Sequence, residues 1–399
     1  ADPHYGTKED LINLVSTAHE KGLKVILDVV PNHTADYFNG SSSTYDSDSY
    51  QPAAPFNNPD WYHHFGDITD WSDENQVLNY DLGGLDDLNQ DNPDARQAIK
   101  DAYKAWVEDT GADGVRIDAA RSLPKDFIQE FENYLGVPSF GEIFVGDVDY
   151  VSDFSNYEWG VLDFPLFFQA REVFAHDASF TTVKSIFDQD SKYNDVNHLV
   201  TFIDNHDRDR FLCLADDNYQ KLRLALTFIF TVRGIPDVYY GTEQNCYGGG
   251  VPTEWAGIAN KENREVMPGF DEDGITFKYI QRLTELRKEY ACLQTGTQRE
   301  MWAEDNIYAF SRRDDSNGQE IISVFNNGTS NETRAIPLRA ESSLAVGTTL
   351  TNLLDTSVTA TVEAGGITGK VLNLTIPAKT AWVFTSDNVA DYAPPARTV

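Results

Sequence analysis

The sequence predicts a parallel α/β barrel followed by an antiparallel β-domain. Three observations carry that prediction. Short apolar runs alternate with amphipathic stretches as far as about residue 293, the pattern of buried strands crossing over through helices. One long polar insert interrupts the alternation early. Beyond Leu293 the texture changes to short alternating runs between Asp, Asn and Gly turns.

The elements follow in order. Residues 7–22 read as a helix, because Leu11, Leu14, Val15 and Ala18 recur on one face and Gly22 closes it. Residues 25–30, all apolar but Asp28, read as a strand buried on both faces. The insert, roughly residues 35–84, is rich in Ser, Asp, Asn, Pro and aromatics. A structureless loop of that length is uncommon in a compact domain, so it reads as a small inserted subdomain. A helix over 94–109 and a strand over 114–119 resume the alternation, with further strands expected at 139–143, 160–164, 199–203 and 238–240. Tyr239 and Tyr240 fall in that last strand and read as core. Tyr62-His63-His64-Phe65 reads as packing for the insert. The runs at 307–311, 321–325 and 381–384 alternate as half-buried antiparallel strands do. The segment beyond Ser386, with Pro394-Pro395, reads as a tail or linker.

Composition narrows the function. The chain has 399 residues, 41% of them hydrophobic, enough for one barrel-sized domain and a smaller one. Its 31 basic and 64 acidic residues give a formal charge of −33. A nucleic-acid binder needs a basic footprint, and anionic lipid would repel this chain, so neither partner is expected. No apolar run is long enough to span a membrane, and Ala1-Asp2-Pro3-His4 does not open a signal peptide. Sequons begin at Asn39, Asn327, Asn331 and Asn373 in polar, loop-like stretches, as in a secreted, extracellular glycoprotein. The three cysteines, Cys213, Cys246 and Cys292, form no CxxC spacing, and their odd number leaves at least one thiol unpaired.

Four polar clusters stand where strands end: Pro31-Asn32-His33, Gly114-Val115-Arg116-Ile117-Asp118, Gly141-Glu142, and Phe202-Ile203-Asp204-Asn205-His206-Asp207. Catalytic groups of β/α barrels project from the carboxyl ends of strands. A single Asp at such a place is usually the N-cap of the next helix. Four clusters together exceed what capping explains, and charges beside buried strands are costly unless paired or functional. Two or three carboxylates with Arg and His are what glycoside hydrolysis requires: one ionised group to attack the anomeric carbon, and one protonated group to serve the leaving oxygen. These residues alone do not choose the sugar.

GVRIDAARS, GEIF, FIDNHD and DVVPNH, in that arrangement, resemble the four signature regions of the α-amylase family of glycoside hydrolases, and LDDLN at 85–89 resembles its fifth motif. The likeness covers nearly the whole chain. It implies a (β/α)8 TIM-type barrel, entered at the helix before the third strand and so lacking its first two strands in this sequence. The implied divisions are barrel at 1–34, a calcium-bound subdomain at 35–86, barrel again at 87–297, an antiparallel β-sandwich at 298–386 and a tail at 387–399. A barrel short of two strands would expose two long edges and is expected to be unstable alone. The resemblance makes Asp118 the nucleophile, Glu142 the general acid/base and Asp207 the third carboxylate, which stabilises the transition state. Arg116 would lie against Asp118 and keep it ionised. His33, His206, Asn260 and Arg264 would line the subsite around the scissile sugar, with Asn260 standing where many relatives carry Asp. On the acceptor side, Trp71, Phe144 and Arg121 match residues of cyclodextrin glucanotransferases.

The same resemblance implies a structural calcium held by the side chains of Asn32 and Asp87 and the carbonyls of Leu78 and Ser122, hard oxygen ligands that suit that ion. The plainer reading places Asp86-Asp87 in a polar turn. Cys213 and Cys246 follow the seventh and eighth strands, where neighbouring loops offer a candidate disulfide that would leave Cys292 free; the sequence does not decide the pairing. The expected activity is endo-hydrolysis of α-1,4-glucosidic bonds in starch or maltooligosaccharides, with retention, by a monomer. Alternatives are a glucan transglycosylase, of the cyclodextrin glucanotransferase or maltogenic kind, and a non-catalytic relative. Ungapped alignment of LGGLDDLN puts Gly83 where the cyclising enzymes carry a bulky aromatic, which favours hydrolysis.

Overall fold

The computed structural model describes residues 4–46, 51–248 and 262–394. They form two compact bodies, the first ending at Leu162 but for Lys192–Asn194, the second holding the rest.

The first body opens with helix Lys8–Glu20, whose cap is reciprocal: Thr7 accepts from the Asp10 amide, and Asp10 accepts from the Thr7 amide. Four parallel strands follow: β1 (Ile26–Val29), β2 (Gly114–Ile117), β3 (Ser139–Gly141) and β4 (Gly160–Leu162). They pair in that order, with Ile26 opposite Gly114, Val115 opposite Ser139 and Phe140 opposite Gly160. Helix Pro93–Thr110 crosses from β1 to β2; Asn92 caps it, Pro93 takes the first turn, and Gly111 closes it at φ +73. Helix Lys125–Leu135 crosses from β2 to β3, burying Phe127, Ile128, Phe131 and Leu135 along one stripe.

β2 is buried throughout. β1 is not: Ile26 is 50% exposed. The expectation of a strand covered on both faces is corrected here, because among the described residues β1 pairs with β2 alone and forms the end of the sheet.

The insert is tied down by single β-bridges, including His33 to Asp87 and Tyr62 to Leu88. Its core is aromatic. Phe38 stacks on Tyr45 at 4.8 Å and meets Tyr62 and His64 edge-on at 4.9 Å.

In the second body β5 (Leu199–Thr201) and β6 (Ile235–Pro236) pair in parallel. The strand expected at 238–240 lies earlier, at Ile235–Pro236. Tyr239 and Tyr240 follow it outside any strand, with Tyr240 42% exposed, and both rings pack on the Arg210 guanidinium, at 4.1 and 4.9 Å. High β-propensity of two tyrosines misplaced that boundary.

Eight antiparallel strands then run from β7 (Thr297–Ala303) and β8 (Ile307–Arg313) through β9 (Glu320–Asn326), β10 (Glu332–Pro337) and β11 (Thr349–Asn352) to β12 (Thr359–Ala364), β13 (Lys370–Ile376) and β14 (Thr380–Thr385). Their spatial order is β10-β13-β12-β11-β14-β9-β8-β7. Ile322, Val324, Leu350, Val362, Leu372 and Phe384 lie in the core of this domain. In the segment after it, the Tyr392 backbone exchanges hydrogen bonds with Thr356 and its ring lies 4.6 Å from the Arg282 guanidinium.

Two further expectations are corrected in this body. Cys213, Cys246 and Cys292 are all buried thiols, with no disulfide between them; Cys213 is engaged by Tyr247 instead. Asn327 is buried: its amide donates to the Val173 carbonyl at 2.5 Å and its Oδ1 accepts from Lys379 at 3.0 Å. A glycan on that nitrogen would be incompatible with this packing. Among the described residues no helix is long and apolar enough to cross a membrane.

Candidate active site

Strand register assembles the first cluster. Arg116 lies opposite Asp28 in the β1–β2 ladder, so the two side chains share a face. Asp118, two residues beyond Arg116, projects on that same face. Ile117 lies opposite Gly141, and the Glu142 amide extends the ladder by donating to the Ile117 carbonyl at 2.9 Å. One guanidinium therefore serves three carboxylates. Arg116 Nη1 lies 2.6 Å from Asp118 and 2.8 Å from Asp28, and Nη2 lies 2.9 Å from Glu142. Burial opposes the charge of Arg116, but Glu142, Asp28 and Asp118 outweigh it and hold its pKa above the usual value.

Directly after Asp118 the chain turns through Ala119, at φ +48, into a short 3-10 turn, Ala120–Ser122. A non-glycine residue in the left-handed region is uncommon and marks a backbone held by its surroundings. The turn sets the Arg121 amide on the Glu142 carbonyl at 3.2 Å. His33 is kept below the usual imidazole range by burial, with Asp118 pulling the other way; it is neutral near pH 7. Below it, the Tyr103 hydroxyl donates to the Val30 carbonyl at 2.9 Å and accepts from the Val30 amide at 3.1 Å, fixing the end of β1. Phe144 is half-buried just beyond Glu142, and Trp71 is 47% exposed.

Asn32 and Asp87 are brought together by the bridge between residues 33 and 87. The Asn32 amide nitrogen lies 2.9 Å from both Asp87 Oδ1 and the Ser122 carbonyl. Leu78 sits on helix Glu74–Asn79, which packs on the turn Ala120–Ser122. Asp87 is almost fully buried, with His63 at 2.6 Å, and burial raises its pKa to about 7. A carboxylate, an amide oxygen and a carbonyl suit a hard cation, but Asn32 Oδ1 here faces His33 Nδ1 at 3.0 Å, so its amide would have to turn over to bind one. Among the described residues no group of three or more His, Cys, Asp or Glu is arranged to hold a metal, so an ion here would depend on amide and carbonyl oxygens.

The second body builds its own cluster after β5. Asp204 is structural: buried, it accepts from the Phe211 amide at 3.0 Å and from Thr242 at 3.2 Å. Asp207 lies 2.6 Å from Arg264 and 3.1 Å from His206. Burial works against its charge, yet the His206 hydrogen bond and the nearby His206 and Arg264 charges win, so its pKa is lowered. Arg264 Nε also donates to the His206 carbonyl at 2.9 Å. Beside it, fully buried Asn263 donates to the carbonyls of Asn205, His206 and Arg208 at 3.2, 2.7 and 2.8 Å. Asn260 lies outside the described residues.

Sequence reasoning missed Asp28, Tyr103 and Asn263. Only adjacency to Arg264 could have flagged Asn263; Asp28 could have been found from its place in the strand before Asn32.

Carboxylates paired to a shared arginine at the ends of neighbouring parallel strands are groups that a carboxylate-dependent glycosidase requires. The family model for the α-amylase catalytic domain matches residues 1–273. The chain is 38% identical over 395 residues to a beta/alpha-amylase of Paenibacillus polymyxa, covering 96% of this chain and 31% of that protein. It is 33% identical over 410 residues to a cyclomaltodextrin glucanotransferase of Bacillus sp. (strain 38-2), covering 98% and 55%. Among solved structures, the α-amylase of Geobacillus thermoleovorans complexed with acarbose matches with a TM-score of 0.80 at 29% identity, over 96% of this chain and 82% of that one. CldA, a cyclomaltodextrin glucanotransferase with a three-domain ABC distribution, matches with a TM-score of 0.81 at 32% identity, over 96% and 79%. The chain spans about a third of the first relative's length and about half of the second's. This chain belongs to the α-amylase family, whose enzymes are glycoside hydrolases and transglycosylases, and its fold is the family's TIM-type barrel with a C-terminal β-sandwich.

Proposed function

We propose that this chain hydrolyses internal α-1,4-glucosidic bonds of starch and related glucans with retention of configuration. The observation that supports this most is the Arg116 fork, with Asp118 on one nitrogen and Glu142 on the other. Carboxylates sharing one guanidinium suit the retaining separation of about 5–5.5 Å better than the wider inverting one. In the first step Asp118 attacks the anomeric carbon while Glu142 gives its proton to the leaving oxygen. In the second, Glu142 takes a proton from water, which attacks the same carbon and releases Asp118. By its motif, Asp207 holds the sugar hydroxyls through the transition state. Asp118→Asn and Glu142→Gln in the whole protein are expected to lower starch hydrolysis by several orders of magnitude with the fold intact. More than about a tenth of wild-type activity in either variant would refute the roles.

A second reading, transglycosylation, is favoured by the relatives named as glucanotransferases. Gly83 speaks for hydrolysis, because it offers no side chain for a glucan to wrap around. Its φ of +61 and that of Gly84, +84, also suit a turn that requires glycine. Linear maltooligosaccharides from soluble starch support the hydrolase; cyclodextrins as a main early product support the transferase.

Calcium is the ion we assign to Asn32, Asp87 and the carbonyls of Leu78 and Ser122, where it would pin the insert to the loops around Glu142. We also place the enzyme outside the cell, on the sequons at Asn39, Asn331 and Asn373, whose side chains are exposed.

A further inference from the structure

We infer that Tyr150 is a positioning residue for a sugar platform on the leaving-group side of the cleft, formed by Trp71 and Arg121. The inference rests on the assignment of Glu142 as proton donor. A general acid must face the leaving group, so whatever neighbours Glu142 on the surface neighbours the departing glucan. Arg121 is such a neighbour, its amide bonded to the Glu142 carbonyl.

Four residues form a chain of contacts there. The Arg121 guanidinium lies between two aromatic rings, 5.0 Å from that of Trp71 and 5.5 Å from that of Tyr150. Its Nη2 donates to the Trp71 carbonyl at 2.8 Å. The Tyr150 hydroxyl reaches back to Glu74, at 3.1 and 3.2 Å from its two oxygens, and Glu74 stands three residues from Trp71. Among the described residues Arg121 Nε is buried without a hydrogen-bond partner, and Tyr150 holds the guanidinium with both its ring and its hydroxyl. Trp71 remains 47% exposed although Arg121 covers part of its ring, which leaves aromatic surface open. An indole face takes the C–H face of a glucose, and a neighbouring guanidinium donates to its hydroxyls. An exposed Trp without support would lose rotamer freedom on binding; Tyr150 removes that cost beforehand by fixing Arg121, which fixes Trp71.

The test uses two substrates of the whole enzyme. Maltohexaose places glucose on the leaving-group side, whereas 4-nitrophenyl α-maltotrioside can be cleaved with nitrophenol alone leaving. Tyr150→Ala is expected to lower kcat/KM for maltohexaose about threefold to tenfold more than for the aryl substrate, the scale of one cation–π contact and its stacking. Tyr150→Phe, which keeps the ring but loses the hydroxyl contacts to Glu74 and Arg121, should recover part of the difference. Equal losses on both substrates would mean a merely structural role and overturn the inference, as would no loss on either. Glu142→Gln is assayed in parallel on maltohexaose. If it stays active, the catalytic assignment fails; if it is inactive while Tyr150→Ala shows no substrate difference, only the platform fails.

Discussion

Asn263 offers the clearest quantitative prediction. Its side-chain nitrogen donates to three carbonyls of the segment that carries His206 and Asp207, and it is fully buried. Among the described residues its Oδ1 has no hydrogen-bond partner, and turning the amide over would set that oxygen against three carbonyls, so the orientation is forced. Asn263→Ala removes two N–H donors shared among three acceptors. Each buried carbonyl left short costs about 1–3 kcal/mol, and the low end applies because water can enter the vacated space. The expected loss is about 2–4 kcal/mol for the body that holds the segment. Asp207 should also lose its fixed position, lowering kcat more than it raises KM. Asn263→Asp keeps the shape but aims a carboxylate oxygen at the carbonyls, and should be worse than Ala. Urea unfolding and steady-state kinetics on both variants measure this. An Asp variant milder than the Ala variant would refute the donor argument.

Other consequences are more briefly stated. Arg264→Met removes one of the charges that depress the Asp207 pKa, so the acid limb of the kcat/KM profile should move to higher pH; an unmoved limb would separate Asp207 from that titration. Excess EDTA should lower the melting temperature, because an ion bound only to the native state stabilises it by mass action; Asp87→Asn should reduce that EDTA effect, and an unchanged effect would remove the calcium assignment. Expressed in a glycosylating host, the protein should show Asn327 unmodified by peptide mass spectrometry, since its amide is spent on Val173 in the core; a glycan there would contradict the packing.

Much of the fold was legible because its signals are local. The apolar runs placed β1 to β5 within two residues of the observed strands, and periodicity found the helices Lys8–Glu20 and Pro93–Thr110, which Thr7 and Asn92 cap. The motif carboxylates were legible for a related reason: Asp118 and Glu142 each follow a strand whose register is fixed by its own pattern. What failed depends on partners distant in sequence. The exposure of β1 is decided by what pairs with its edge, and the sequence around Ile26 carries no sign of it. The burial of Asn327 comes from Val173, 154 residues away. The shared use of Arg116 by Asp28 rests on a cross-strand register 88 residues apart. Tyr150 carries no motif at all, and only the packing of its helix Val148–Phe154 beside Arg121 reveals it.

The central claim is that Asp118 forms a covalent bond to the sugar while Glu142 manages the proton. Glu142→Gln, given α-maltosyl fluoride, tests it most directly. Fluoride leaves without an acid, so the first step proceeds, but the second lacks its base and the glycosyl-enzyme accumulates. Digestion and tandem mass spectrometry should find the maltosyl adduct on the peptide containing Asp118, at that residue. An adduct on another residue, or an inverted product released with no adduct at all, would contradict the mechanism.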